Sequence, residues 1–331
     1  MSIELKYKLK YPYAVIIFTA LSLFFGVVGI SYGITGLITL PLTAAFLGML
    51  MCVEKKKIAS ITVSAILIVG EFILGFFDYF TLTSLSSVAV AIIISAFYLK
   101  KKDKFTGAIL TTLVISFMIF ASAAIFIICT TEVSSVSEAY EYFLAGYNAF
   151  KDSVTSSTME MMSQSPFYDP TFSVEYISLA LDVYLNCIVA LVTVLAFILV
   201  GLTYKMFCKL VGTYSENKKG VNSWQFIPHG SFAYFYFALL VLSMFSMNTE
   251  SVISVSIANL YIIFMVIFAY VGYSFSVVML GVKGIKKPLS SIIVLALVLL
   301  LSSLAIQILA ALGAFITVKY SRFTKHLQSK K

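Results

Sequence analysis

Apolar stretches of membrane-span length, separated by short polar gaps, repeat along almost the whole chain. A bilayer core needs about 20 apolar residues per crossing helix. The runs from about Tyr11 to Ile30 and from about Ile34 to Val53 meet that length on either side of a tight turn at Ser31 to Gly33, and predict a helical hairpin. A second pair runs from about Ile58 to Phe77 and from Phe80 to Tyr98, and a fifth run from about Phe105 to Cys129. Four more follow a polar interruption: about Tyr176 to Leu202, Phe232 to Met247, Val252 to Val282 and Leu289 to Val318. The fold class this predicts is all-α, a polytopic transmembrane helical bundle of about nine segments, in a range of about eight to ten. The whole of 1–331 reads as a single integral membrane domain. The basic start resembles a signal peptide, but no small-x-small cleavage site follows, so the first run is expected to stay on as a helix.

The interruption, 130–175, carries Glu132, Glu138, Glu141, Asp152, Glu160, Asp169 and Glu175 against Lys151 alone. A lysine-poor loop belongs on the outer side. Within it Val136, Tyr140, Phe143, Tyr147, Phe150 and Val154 recur at spacings of three and four, which predicts an amphipathic helix with Glu138, Glu141 and Asp152 off its apolar stripe. Such a helix lies flat on the leaflet, covers a cavity or meets another protein; lying flat is the simplest reading. Pro166 and Pro170 break any continuation.

Composition sharpens the picture. Apolar residues make up 60% and charged residues 11%, too few to clothe a water-facing domain. The net charge of +8 sits in small groups at the ends of apolar runs: Lys6, Lys8 and Lys10; Lys55 to Lys57; Lys100 to Lys102 with Lys104; Lys283, Lys286 and Lys287. That distribution fixes a cytoplasmic face in the cell membrane, puts the N-terminus on it, and points to anionic lipid headgroups rather than nucleic acid as partner. Nine single crossings would leave the basic tail 319–331 outside. A cytoplasmic C-terminus is therefore preferred, with one of the last two overlong segments broken at Gly272 or at the Ser302-Ser303 pair.

Candidate chemistry is sparse. Glu71 lies seven residues before Asp78 on one helical face, about 10 Å below the outer end of the third segment. Asp182 sits six residues into the sixth segment, with Asn186 one turn later. Neither acid has a lysine or arginine buried beside it in the sequence. Two readings follow: hydration or hydrogen bonding to a neighbouring helix, or a ligand- or cation-binding cavity opening outward and lined by Glu71, Asp182 and Asn186, with Asp78 near its mouth. Gly26, Gly29, Gly33 and Gly36 form a helix-contact face or, preferably, end in the hairpin turn. Ala310 and Ala314 read as a packing pair. Trp224 and Pro228 suit an interfacial helix start. Cys52, Cys129, Cys187 and Cys208 define no disulfide or zinc frame, and His229 and His326 no metal or triad motif. No catalytic residue, metal or cofactor motif is present, so an enzyme is not expected.

Trp224-Gln-Phe-Ile-Pro228, Asn259, Gly272 and the run Leu312-Gly-Ala-Phe before Ser321-Arg322-Phe323 resemble the YybS-like family of bacterial membrane proteins, over about the last 110 residues by motif and the whole chain by hydropathy. Where that family often has an acid after the last glycine, this chain has Ala314, Phe315 and Ile316. The resemblance implies an architecture similar to the substrate-binding subunits of energy-coupling-factor vitamin transporters, and supplies no catalytic residues. The expected function is transport-related binding of a small molecule or cation. With no G-x-x-x-x-G-K-[ST] motif, ATP energy would come from a partner ATPase complex. The alternative is a non-transporting scaffold or regulatory subunit.

Overall fold

A computed structural model describes residues 11–31, 35–54, 56–75, 83–99, 104–131, 133–164, 174–214, 228–246 and 252–328. Asp78, Gly33, Pro166, Pro170 and Trp224 lie outside the described residues. Among those described, every regular element is helical: α1 Tyr11–Ser31, α2 Thr35–Val53, α3 Ile58–Gly70 ending in a π turn at Glu71–Gly75, α4 Thr83–Leu99, α5 Lys104–Thr130, α6 Val136–Ser163, α7 Val174–Asn186, α8 Ile188–Tyr214, α9 Gly230–Ser246, α10 Val252–Val282 and α11 Lys287–Gln328. Apolar surroundings explain this, since a backbone without water must bond to itself. Five helices are long and apolar enough to cross a membrane: Pro12–Ile30, Thr106–Thr130, Ile188–Thr213, Val252–Val282 and Pro288–Lys319. The chain is thus a helical membrane protein. Four shorter apolar helices accompany them, Ile38–Val53, Ile58–Ile73, Thr83–Tyr98 and Gly230–Phe245.

Two sequence expectations change, and a choice between two break points is decided. The sixth apolar run is two helices, because the backbone breaks at Cys187 between α7 and α8. Gly36 belongs to α2 rather than to the turn before it. Gly272 lies inside an uninterrupted α10, and it is Ser302, at φ 45 and ψ −120, that kinks α11. The amphipathic helix also runs on to Ser163, past the Val154 at which its stripe ends.

The chain divides into two compact units, Met1–Leu185 with Leu195–Trp224, and Asn186–Val194 with Gln225–Lys331. In the first, α1 and α2 touch through glycines: a Cβ on Gly29 would lie 2.5 Å from the Thr39 hydroxyl, and one on Gly36 would lie 2.8 Å from Thr83 Cγ2 and 3.0 Å from the Gly29 carbonyl oxygen. Gly26 likewise receives Leu67 of α3. Gly26, Gly29 and Gly36 are thus helix-contact positions. Phe207 of α8 packs edge-on against Tyr98 of α4 and over Gly48 of α2. Hydroxyls buried here turn back on their own helices, as Ser22 donates to the Phe18 carbonyl at 2.6 Å and Thr111 to that of Gly107 at 2.6 Å.

In the second unit α10 and α11 meet backbone to backbone. A Cβ on Gly272 would lie 2.0 Å from the Leu309 carbonyl oxygen, and one on Gly313 would lie 2.0 Å from that of Phe268. Ala310 and Ala314, both fully buried, extend this contact beneath Tyr236 and Phe268, as a packing pair should. Tyr236 stacks on Tyr261 at 6.0 Å. Gly284, at φ 88, closes α10: its N–H donates to the Gly281 carbonyl and the Ile285 N–H to that of Leu280, a Schellman ending that only glycine makes without strain.

Candidate functional site

Glu71 opens the π turn that ends α3 and is 5% exposed. Its carboxylate reaches the start of α4. Oε1 accepts from the Ser84 N–H at 3.0 Å and the Thr83 hydroxyl at 3.2 Å, and Oε2 accepts from the Leu85 N–H at 3.0 Å. The first N–H groups of a helix have no partner within it and carry the positive end of its dipole, so a buried carboxylate is stabilised there without a basic neighbour. Gly36 leaves the space that Thr83 fills, which ties the α1–α2 crossing to this cap.

Glu54 repeats the device one helix earlier. Buried just beyond α2, it accepts from the Ala59 N–H at 2.6 Å and the Ser60 N–H at 2.8 Å, and so caps α3. Sequence reasoning passed over Glu54 because it adjoins Lys55 to Lys57. The usable signal was an acid just ahead of a predicted helix start.

Asp182 has a basic partner, contrary to expectation. Lys151 of α6 donates to its Oδ1 at 2.9 Å, and one turn away the Tyr147 hydroxyl donates to the Leu181 carbonyl. The hydrogen bond to Asp182 raises the Lys151 ammonium above its usual range. Partial burial, with the Asp182 charge adding to it, raises the Tyr147 phenol. At the other end of α6 the Ser135 hydroxyl caps the Glu138 N–H at 3.2 Å, while Glu138 accepts from the Ser134 N–H at 2.9 Å, which holds its carboxyl below the usual range. Two side-chain contacts, Lys151 to Asp182 and Tyr147 to Leu181, thus link the amphipathic helix to α7.

Asn186 is exposed, and its carbonyl is used at the α7–α8 break. In an unbroken helix that carbonyl would accept from the Ala190 N–H. Here the Asn259 carboxamide stands between them: Nδ2 donates to the Asn186 carbonyl at 2.6 Å and to that of Val255 at 2.8 Å, and Oδ1 accepts from the Ala190 N–H at 2.7 Å. A side chain inserted into the backbone ladder is a known cause of a helix break.

The structure gives Glu71 and Asp182 separate partners within the first unit and places Asn186 in the second. A groove of 620 Å³ in the first unit is built elsewhere. Its walls are Ile61, Ala65 and Ile68 of α3 and Val88 and Ile92 of α4; Ser60, Ser64 and Ser95 add hydroxyls and Lys57 a cation at the rim. Ser60 donates to the Lys57 carbonyl and Ser64 to that of Ser60, while Ser95 has the Ile92 carbonyl and the Met51 sulfur as acceptors, so each proton is engaged within the protein and the oxygen lone pairs remain. Chemically the groove can hold an apolar body, donate one charge-assisted hydrogen bond and accept others. No group of three or more His, Cys, Asp or Glu able to hold a metal occurs among the described residues.

No family model, no curated protein and no solved structure matches this chain.

Proposed function

We propose that this chain is a multi-pass protein of the cell membrane that binds a small molecule in the service of transport, with its N-terminus cytoplasmic. We read the four shorter apolar helices that accompany the five span-length ones as further membrane segments, which would make about nine. The observation that carries the reading is the α3–α4 groove, whose 620 Å³ falls within the roughly 300–1,000 Å³ of small-molecule sites and whose few polar groups converge on an apolar wall. Glu54 and Glu71 then cap α3 and α4, the two helices that form its walls. Energy would come from a partner ATPase complex, as the resemblance to substrate-binding transporter subunits implies. The test is mass spectrometry of small molecules released from the purified full chain. A discrete compound is expected from the wild type and should be lost from Ser64→Phe, which fills the groove.

A second reading, a scaffold or regulatory subunit, draws on α6, where Val136, Tyr140 and Phe150 remain 68%, 62% and 57% exposed. Release of no compound, with one membrane protein retained through purification, would favour it.

A further inference from the structure

The second unit carries an unrelated groove of 440 Å³ where α10 runs beside α11. Twelve of its fourteen lining residues have only hydrocarbon or thioether side chains, among them Met279, Leu280, Leu297, Leu301, Ile308 and Leu312. The kink at Ser302 divides its α11 wall, with Leu301 before the bend and Ala305 after it. Such a lining offers a polar solute almost nothing. The rim differs: Lys283 lines it, Lys286 is exposed on the same turn, and Lys287 follows in the chain. No Asp or Glu occurs anywhere in 251–331, so this segment holds no carboxylate of its own for these cations.

An apolar slot in a membrane protein, ending at lysines within a segment that has no acidic side chain, matches a molecule with a hydrocarbon chain and an anionic head. We propose that the α10–α11 groove is a binding site for an anionic phospholipid, one acyl chain lying along the kink of α11 and the phosphate meeting Lys283 and Lys286. The hydrocarbon wall supplies chain affinity that any phospholipid shares, and the lysines supply the preference for negative charge. A juxtamembrane lysine contributes about fivefold in affinity for an acidic lipid surface.

The test is native mass spectrometry of the full chain released from micelles doped equally with phosphatidylglycerol and phosphatidylcholine. The wild type should retain phosphatidylglycerol at least about tenfold in preference. Lys283→Gln/Lys286→Gln/Lys287→Gln should bring that ratio to near one. Ala305→Phe, with the lysines intact, should lower retention of both lipids. Equal retention of the two lipids by the wild type, an undiminished preference in the lysine variant, or a second copy of the chain occupying the groove would each overturn the proposal.

Discussion

Removing the Glu71 carboxylate should destabilise the first unit more than any exposed acid does. Glu71→Ala leaves the N–H groups of Ser84 and Leu85 without acceptors at a site only 5% exposed. An orphaned buried donor costs about 1–3 kcal/mol. Two N–H groups therefore give a range of about 2–6 kcal/mol, and we expect about 4 kcal/mol, with the Thr83 hydroxyl free to turn to another acceptor. Glu71→Gln keeps one oxygen for Ser84 and sets an NH₂ against the Leu85 N–H, so it should cost about 1–3 kcal/mol. The assay is unfolding of the purified protein in mixed micelles by SDS titration, followed by far-ultraviolet circular dichroism, with Glu141→Ala on the exposed face of α6 as control. A Glu71→Ala midpoint indistinguishable from that control would refute the capping role and return Glu71 to the candidates for ligand binding.

Further outcomes follow from the same contacts. Asn259→Ala should let the Ala190 N–H find the Asn186 carbonyl again and join α7 to α8, read as increased hydrogen-exchange protection around Cys187; unchanged exchange there would argue against insertion as the cause of the break. Gly272→Leu should cost about 3 kcal/mol or more by driving α10 off α11, whereas Gly281→Ala, with open space around it, should be neutral or stabilising by up to about 1 kcal/mol. The α6 latch should respond to pH at both extremes. Lys151 and Tyr147 have raised values, so their stabilisation is complete below their unfolded values of about 10 and lost as pH rises through the folded ones. Glu138 has a lowered value, so its contribution is present above about 4.3 and lost as pH falls through the folded value. Protection of α6 amides, taken relative to their intrinsic base-catalysed exchange, should accordingly fall in alkali, and Asp182→Asn should reduce that alkaline response.

How much was readable in advance depended on whether a feature had a local cause. The bounds of α10 coincide with the apolar run, and those of α1 fall within a residue of it, because transfer into lipid sets both ends. Ser302 was legible as half of a serine pair inside an overlong segment. The α7–α8 break was not, since no proline or glycine stands near Cys187 and Asn259 acts from 69 residues away. Lys151 stands 31 residues before Asp182 on a different helix, so no local spacing signals the pair. Gly36 read as a turn residue because the same glycine spacing serves turns and helix crossings alike. The burial of Glu71 was visible, but its purpose depended on the first turn of α4, beyond the described end of α3.

The most direct trial of the account compares ligand retention in folded variants of the two rival sites. Compounds released from the purified full chain would be quantified by mass spectrometry for wild type, Ser64→Phe and Asp182→Asn, after circular dichroism has confirmed equal helicity. The account predicts that Ser64→Phe comes away empty while Asp182→Asn retains the wild-type compound. Retention by Ser64→Phe with loss from Asp182→Asn would contradict it and place the ligand among the outer acids instead.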